Sequence, residues 1–264
     1  MNTTVMLAWR EWTRFFRQKH RVIAALGQPI LFWLLFGTGM HQSFRGGNGD
    51  FMSYYLPGTL ALILMFTAIF ATISIIEDRR EGFLQGVLVA PVPRWHIAAG
   101  KMIGGGAIAW VQAVIFLALA LLIGSVPWSA SIAGLLLLMA ITAVGLTALG
   151  IIFAWSMDST QGFHAIMNLV LMPMWLLSGA FFPIPNLEDS AAIGQVVIHW
   201  MMRCNPLSYA VAGMRQMVFP DSQPSQGLWQ PTLAVCWLVT MVFVAVTTLL
   251  AVRAVQRPSR GELK

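Results

Sequence analysis

The sequence predicts an all-α polytopic membrane protein with six transmembrane helices, and three observations predict it. Hydrophobic residues make up 58% of its 264 residues and charged residues 10%, with a mean hydropathy of +0.73; a soluble domain devotes about a quarter of its residues to charge. Six apolar runs, each near the ~20 residues with which a helix crosses a bilayer, contain no Asp, Glu, Lys or Arg: 22–40, 56–76, 102–123, 131–157, 163–182 and 231–252. If both termini lie in the cytoplasm, thirteen of the sixteen Lys and Arg residues flank the spans on that side, leaving Arg45, Arg203 and Arg215 outside. Cytoplasmic loops carry this excess of positive charge. The formal net charge of +6 is therefore topological and implies no nucleic-acid partner. A multi-pass protein of the cytoplasmic (inner) membrane is expected, N-in and C-in.

Residues 1–21 read as an amphipathic cytoplasmic interface helix. At 100° per residue Val5, Ala8, Trp9, Trp12 and Phe16 share one arc, and Arg10, Arg14, Arg17 and Arg21 the opposite one. Trp9, Trp12 and Phe16 are expected to anchor at the membrane interface, with the arginines toward anionic lipid. The run starting at Val22 is longer than the core of a signal peptide and lacks a small-x-small cleavage site, so it is expected to remain as the first span. Residues 22–252 then form one transmembrane domain, and 253–264 a cytoplasmic tail.

Between the second and third spans lie the 25 residues from Glu77 to Lys101, where a plain turn needs only a few. They open with Glu77-Asp78-Arg79-Arg80-Glu81, continue through Phe83, Leu84, Val87 and Leu88, and stop at Pro91-Val92-Pro93, where proline ends a helix. A short helix with charged flanks and an apolar face, held outside the bilayer, suits a groove on a partner protein. Further on, Asp158-Ser159-Thr160 are placed to cap the fifth helix. Between the fifth and sixth spans, two apolar segments, 191–202 and 207–219, meet at the breaker Asn205-Pro206. Too short to cross, they read as extracytoplasmic re-entrant or interfacial helices. Cys204 and Cys236 have no pairing or metal spacing and are expected to be buried free thiols.

Motifs for chemistry on the chain itself are missing. Gly100-Lys101-Met102 lacks both the first glycine and the hydroxyl of a nucleotide-binding loop, so ATP hydrolysis is not expected here. Charge-free spans argue against an ion-coupled carrier, which normally keeps ionisable groups at membrane depth. His20, His41, His96, His164 and His199 lack the i, i+4 spacing of a helical metal pair, and no serine-protease motif is present. Catalytic and metal residues are thus expected to be absent. The alternatives are a polytopic enzyme acting on a lipid, with Asp158, His164 or His199 as its groups, or an ATP-independent channel.

Two motifs resemble those of the type-2 ABC-transporter permeases, the membrane subunits of bacterial drug, lipo-oligosaccharide and polysaccharide exporters. One is Glu81-Gly82 followed by Leu88-Val89-Ala90-Pro91-Val92-Pro93-Arg94 and Ile97-Ala98-Ala99-Gly100-Lys101. The other is Leu177-Ser178-Gly179-Ala180-Phe181-Phe182-Pro183-Ile184-Pro185 with Asn205-Pro206-Leu207-Ser208-Tyr209 and Arg215. The resemblance covers nearly the whole chain. It implies a non-catalytic transport subunit, two copies of which form the pathway. Two copies of a separate ATPase would bind the ATP and magnesium, leaving this chain no cofactor of its own. It also implies that the segment after the second span is a coupling helix, with Glu77, Arg80, Glu81, Gly82, Leu84, Leu88 and Pro91 as candidate ATPase contacts. Asn168, Met172, Trp175 and Ser178 of the fifth span are candidates for the pathway, with helix packing as their equal alternative. An amphiphilic cargo is expected: drug, lipid or lipid-linked glycan.

Overall fold

The computed structural model describes residues 3–39, 51–89, 91–127, 131–187, 192–220 and 228–257. Arg45 and the Arg260–Lys264 end of the expected tail lie outside the described residues. The described residues form helices and their connections, with no strand among them beyond an isolated bridge between Pro185 and Leu228.

Among the described residues, four helices are long and apolar enough to cross a membrane. The first is α3 (Phe51–Ala71) running on through α4 (Ile73–Arg80), and the others are α6 (Trp95–Leu122), α7 (Ile132–Ser156) and α11 (Leu233–Gln256). They coincide with the second, third, fourth and sixth expected spans. The first span corresponds to α2 (Lys19–Gly39), whose apolar part, Ala25–Gly39, is shorter than a crossing. The fifth corresponds to α8 (Thr160–Leu176), which has 17 residues. The sequence placed its end at Phe182, but Gly179 takes φ 74° and the chain turns there, a conformation open chiefly to glycine. Around this core lie α1 (Thr3–Arg17), the short α5 (Phe83–Val89), and α9 (Ile193–Cys204) with α10 (Pro206–Val218).

Small residues set the close approaches in this bundle, as is usual where lipid supplies no hydrophobic drive between helices. A Cβ on Gly58 would stand 2.6 Å from the carbonyl oxygen of Ala180, and one on Gly150 2.8 Å from Thr72 Oγ1. At Thr72 the α3–α4 span steps without breaking, its hydroxyl bonding the carbonyl of Ile69 at 2.6 Å. Indoles tie neighbours together: Trp110 donates to the carbonyl of Leu136 on α7, and Trp33 to that of Met52 on α3.

The turn after α8 is fixed by Arg215 of α10. Its guanidinium donates to the carbonyl of Gly179 at 2.9 Å and lies over the ring of Tyr54, whose hydroxyl also bonds Gly179. Asn205 caps α10, accepting from Leu207 N–H, while its amide donates to the carbonyl of Met174. Cys236 is buried as expected, whereas Cys204, the last residue of α9, is exposed.

Candidate functional site

At the end of the bundle opposite Arg215, three helices meet in a charge cluster. Asp78 of α4 has no exposed surface. It accepts both arms of Arg10 at 2.6 and 3.0 Å, one arm of Arg14 at 2.9 Å and the ammonium of Lys101 at 2.5 Å. Lys101 also donates to Glu11 at 2.6 Å and Ser74 at 2.9 Å, and Arg14 to Glu77 at 2.8 Å. Three cations thus balance three carboxylates, the condition under which buried charge is tolerated. The hydrogen bonds to Asp78 hold the Arg10 guanidinium above its ordinary pKa against the desolvation of its site.

Glycine makes this junction possible. A Cβ on Gly100 would lie 2.7 Å from Leu7 Cβ, and one on Gly104 2.9 Å from Glu11 Cβ, so α1 seats directly on α6. The faces of α1 therefore differ from the sequence expectation. Thr4, Leu7, Glu11 and Phe15 are buried. Arg10 and Arg14 reach carboxylates of the protein instead of lipid, because those acids lie one side chain away. The apolar arc stays outward: Trp9 and Phe16 are exposed, Trp12 partly so.

From this junction the chain turns at Gly82 (φ 77°) into α5. Arg10 stacks over the ring of Phe83 at 3.7 Å, so α1 grips residues on both sides of the turn. Glu81 keeps its side chain 62% exposed and stands 3.6 Å from Arg14. Gly82 and Pro91 are exposed, as are Phe83, Val89 and Trp95, which together give this end an apolar surface. Other candidate contacts are engaged within the chain. Glu77 holds Arg14, Arg80 donates to the carbonyl of Asp158, and Leu84 is packed inside with 2% exposure. Leu84 faces inward because α5 must bury one apolar residue against the bundle to stay docked. Leu88 lies on the same helix, but its side chain is outside the described residues.

Asp158 pairs with Arg79 at 3.1 Å, and the cap on α8 comes from Ser159, which accepts from Gly162 N–H. Arg79 further donates to the carbonyls of Trp155 and Met157. The loop between α7 and α8 is thereby tied to α4.

A cavity of about 330 Å³ opens between α1, α2, α3–α4 and α8. Its walls are mainly apolar and aromatic, with Phe32, Phe66, Phe70 and Trp175 among them, and Thr67, Glu77, Gln28 and His164 add polar points. Met172 and Trp175 line it, whereas Asn168 and Ser178 do not. Trp175 is fixed by a 2.9 Å hydrogen bond to the carbonyl of Gly58. Ser178 is buried, donating to the carbonyl of Trp175, and Asn168 faces outward from α8. Sequence reasoning missed the contribution of α2 and Phe66, since neither breaks an apolar pattern. It also missed the Arg10–Asp78 pairing, although two arginines four residues apart ahead of one span and two acids after the next were a signal for it.

Comparison with known proteins gives the family. The chain is 28% identical over 141 residues to the probable multidrug ABC transporter permease YbhR of Escherichia coli K12, a match covering 53% of this chain and 38% of the relative's length. It is 25% identical over 240 residues to nodulation protein J of Rhizobium leguminosarum bv. viciae, covering 87% of this chain and 86% of the relative. With the daunorubicin resistance ABC transporter permease protein DrrB1 of Streptomyces coeruleorubidus it shares 22% identity over 251 residues, 92% of this chain and 83% of that one. The family model described as ABC-2 type transporter matches residues 3–219. With four described helices long and apolar enough to cross a membrane, the chain belongs to the ABC-2 type transporter family.

Proposed function

We propose that this permease is the membrane-spanning half of an ATP-driven exporter, working as two copies with two copies of a separate ATPase subunit. The observation that carries it is the geometry of α5, a short helix outside the bundle, turned at Gly82 and gripped by α1 through Arg10 and Arg14. Glu81, Gly82 and the apolar surface of Phe83, Val89 and Trp95 would enter a groove of the ATPase. Because α1, α4 and α6 share one buried ion cluster, a displacement of α5 would be passed to the base of two spans. The shorter α2 and α8 complete six spans in this reading, with both termini cytoplasmic in the inner membrane and α9–α10 as re-entrant helices on the far side.

The cavity between α2, α3 and α8 would receive the cargo. Its aromatic walls and few polar groups suit an amphiphile, and Met172 adds an adaptable surface. The relatives' names point to multidrug and daunorubicin resistance and to nodulation, so the cargo class is carried by the cavity alone. Co-purification tests the coupling. The tagged chain, expressed with its neighbouring genes, should retain an ATPase; Glu81→Arg should cut ATP-dependent export at least about tenfold, the factor expected when a charge-assisted contact is lost, and Gly82→Leu should lower it by straining the turn into α5, with membrane insertion unchanged in both. Normal export by both variants would end the docking role.

A further inference from the structure

Helix α9 divides into two unlike faces. Inward, His199 and Met202 are buried, and His199 Nδ1 lies 2.8 Å from the carbonyl oxygen of Pro185. Outward, Ile193, Val197, Ile198, Trp200 and Met201 are each more than half exposed and form one continuous apolar arc without a charge. Along its edge stands Arg203, with no carboxylate within ion-pair distance among the described residues. Its guanidinium lies 5.1 Å from the ring of Trp200 and 5.4 Å from that of Trp229. The backbone at both tryptophans is tied to one segment: the main-chain N–H of Trp229 bonds the carbonyl of Ile184, and His199, next to Trp200, bonds that of Pro185. Tyr209 packs edge-on against Trp229 and completes an aromatic collar.

A cation between two indoles, with no acid beside it among the described residues and next to a strip of exposed apolar side chains, matches the cross-section of one lipid: phosphate at the interface, acyl chains beneath. A water-facing helix would not leave such a strip bare, and a second protein chain would have to bring an acid for Arg203. We propose that α9 and the collar form a phospholipid-binding surface, with Arg203 on the phosphodiester and the arc from Ile193 to Met201 against the acyl chains. It lies on the leaflet away from α5, since α9 adjoins α10, whose Arg215 holds Tyr54 at the start of the span that ends at α4. Trp200 and Trp229 align the guanidinium and set the depth of the helix.

The purified full chain, exchanged through detergent and examined by native mass spectrometry, provides the test. With palmitoyl-oleoyl phosphatidylglycerol as probe, the wild-type chain should keep one lipid more than Arg203→Gln, retention at that site falling about tenfold. Arg203→Lys should restore part of it. Dioleoylglycerol, which has the chains without the phosphate, should not be retained there, and millimolar inorganic phosphate should not displace the bound lipid. Equal retention by wild type and Arg203→Gln, equal retention of dioleoylglycerol, or displacement by free phosphate would each overturn the assignment. Independently of Arg203, p-benzoylphenylalanine placed at Val197 in the native membrane should form a photo-adduct of phospholipid mass. A chain-to-chain product would show a second copy on this face, and the absence of any adduct would show water there; either result refutes the surface. Neither experiment involves the ATPase, so this surface and the ATP-coupled reading stand or fall separately.

Discussion

Asp78 receives four hydrogen bonds from charged donors on two other helices, and nothing else among the described residues concentrates charge so tightly. Removing it would leave Arg10, Lys101 and part of Arg14 facing one another without their shared anion. Asp78→Leu should therefore lower unfolding free energy in detergent by about 3–5 kcal/mol, read as a drop in the thermal or denaturant midpoint. A change below about 1 kcal/mol would mean that the cluster rearranges around Glu11 and Glu77. The sequence showed each of these residues but not their union, because Arg10 and Asp78 are 68 positions apart. The helical-wheel reading assigned the arginines to lipid for the same reason: it registers the face of the helix and is blind to partners distant in sequence.

Among the elements, α1 and α5 behave as a pair. Leucine at Gly104 would have to displace the side chain and backbone of α1 at 2.9 to 3.2 Å, so Gly104→Leu should lift α1 from α6 at a cost of about 1–3 kcal/mol. The contact of Thr4 with His96, 2.6 Å between Oγ1 and Nδ1, offers a direct gauge. A cysteine pair at those positions should cross-link readily in the parent chain and poorly in the Gly104→Leu background. At Gly82 the left-handed backbone adds about 1–2 kcal/mol of strain for any residue with a Cβ. The helical periods of α3, α6, α7 and α11 were legible because long charge-free runs leave no other fold in lipid. The short length of α8 was not, since Leu177-Ser178-Gly179 continues an apolar run and only backbone geometry reveals the turn.

For the molecule as a whole, the cavity and the charge cluster share Glu77, which lines the first and belongs to the second. A bulky side chain at Ala25 would fill part of the cavity from α2. If the cavity receives the cargo as proposed, Ala25→Phe should reduce export of a fluorescent amphiphile such as rhodamine 6G by about tenfold, the effect of one lost apolar contact of ~1.4 kcal/mol, without changing retention of the proposed ATPase on co-purification. Composition revealed a membrane protein at once, yet the cavity could not be read from it, because lining and packing side chains are the same residue types. The exposed Glu81 and the buried Asp78 also respond differently to the medium. Mobile ions screen charges beyond about 8 Å at physiological ionic strength but do not reach a site without solvent-exposed surface. Under the proposed docking, raising salt should loosen an ATPase from α5 in solution while leaving α1 locked to α6, so the machine would come apart at its joint between subunits and not at its joint within the chain.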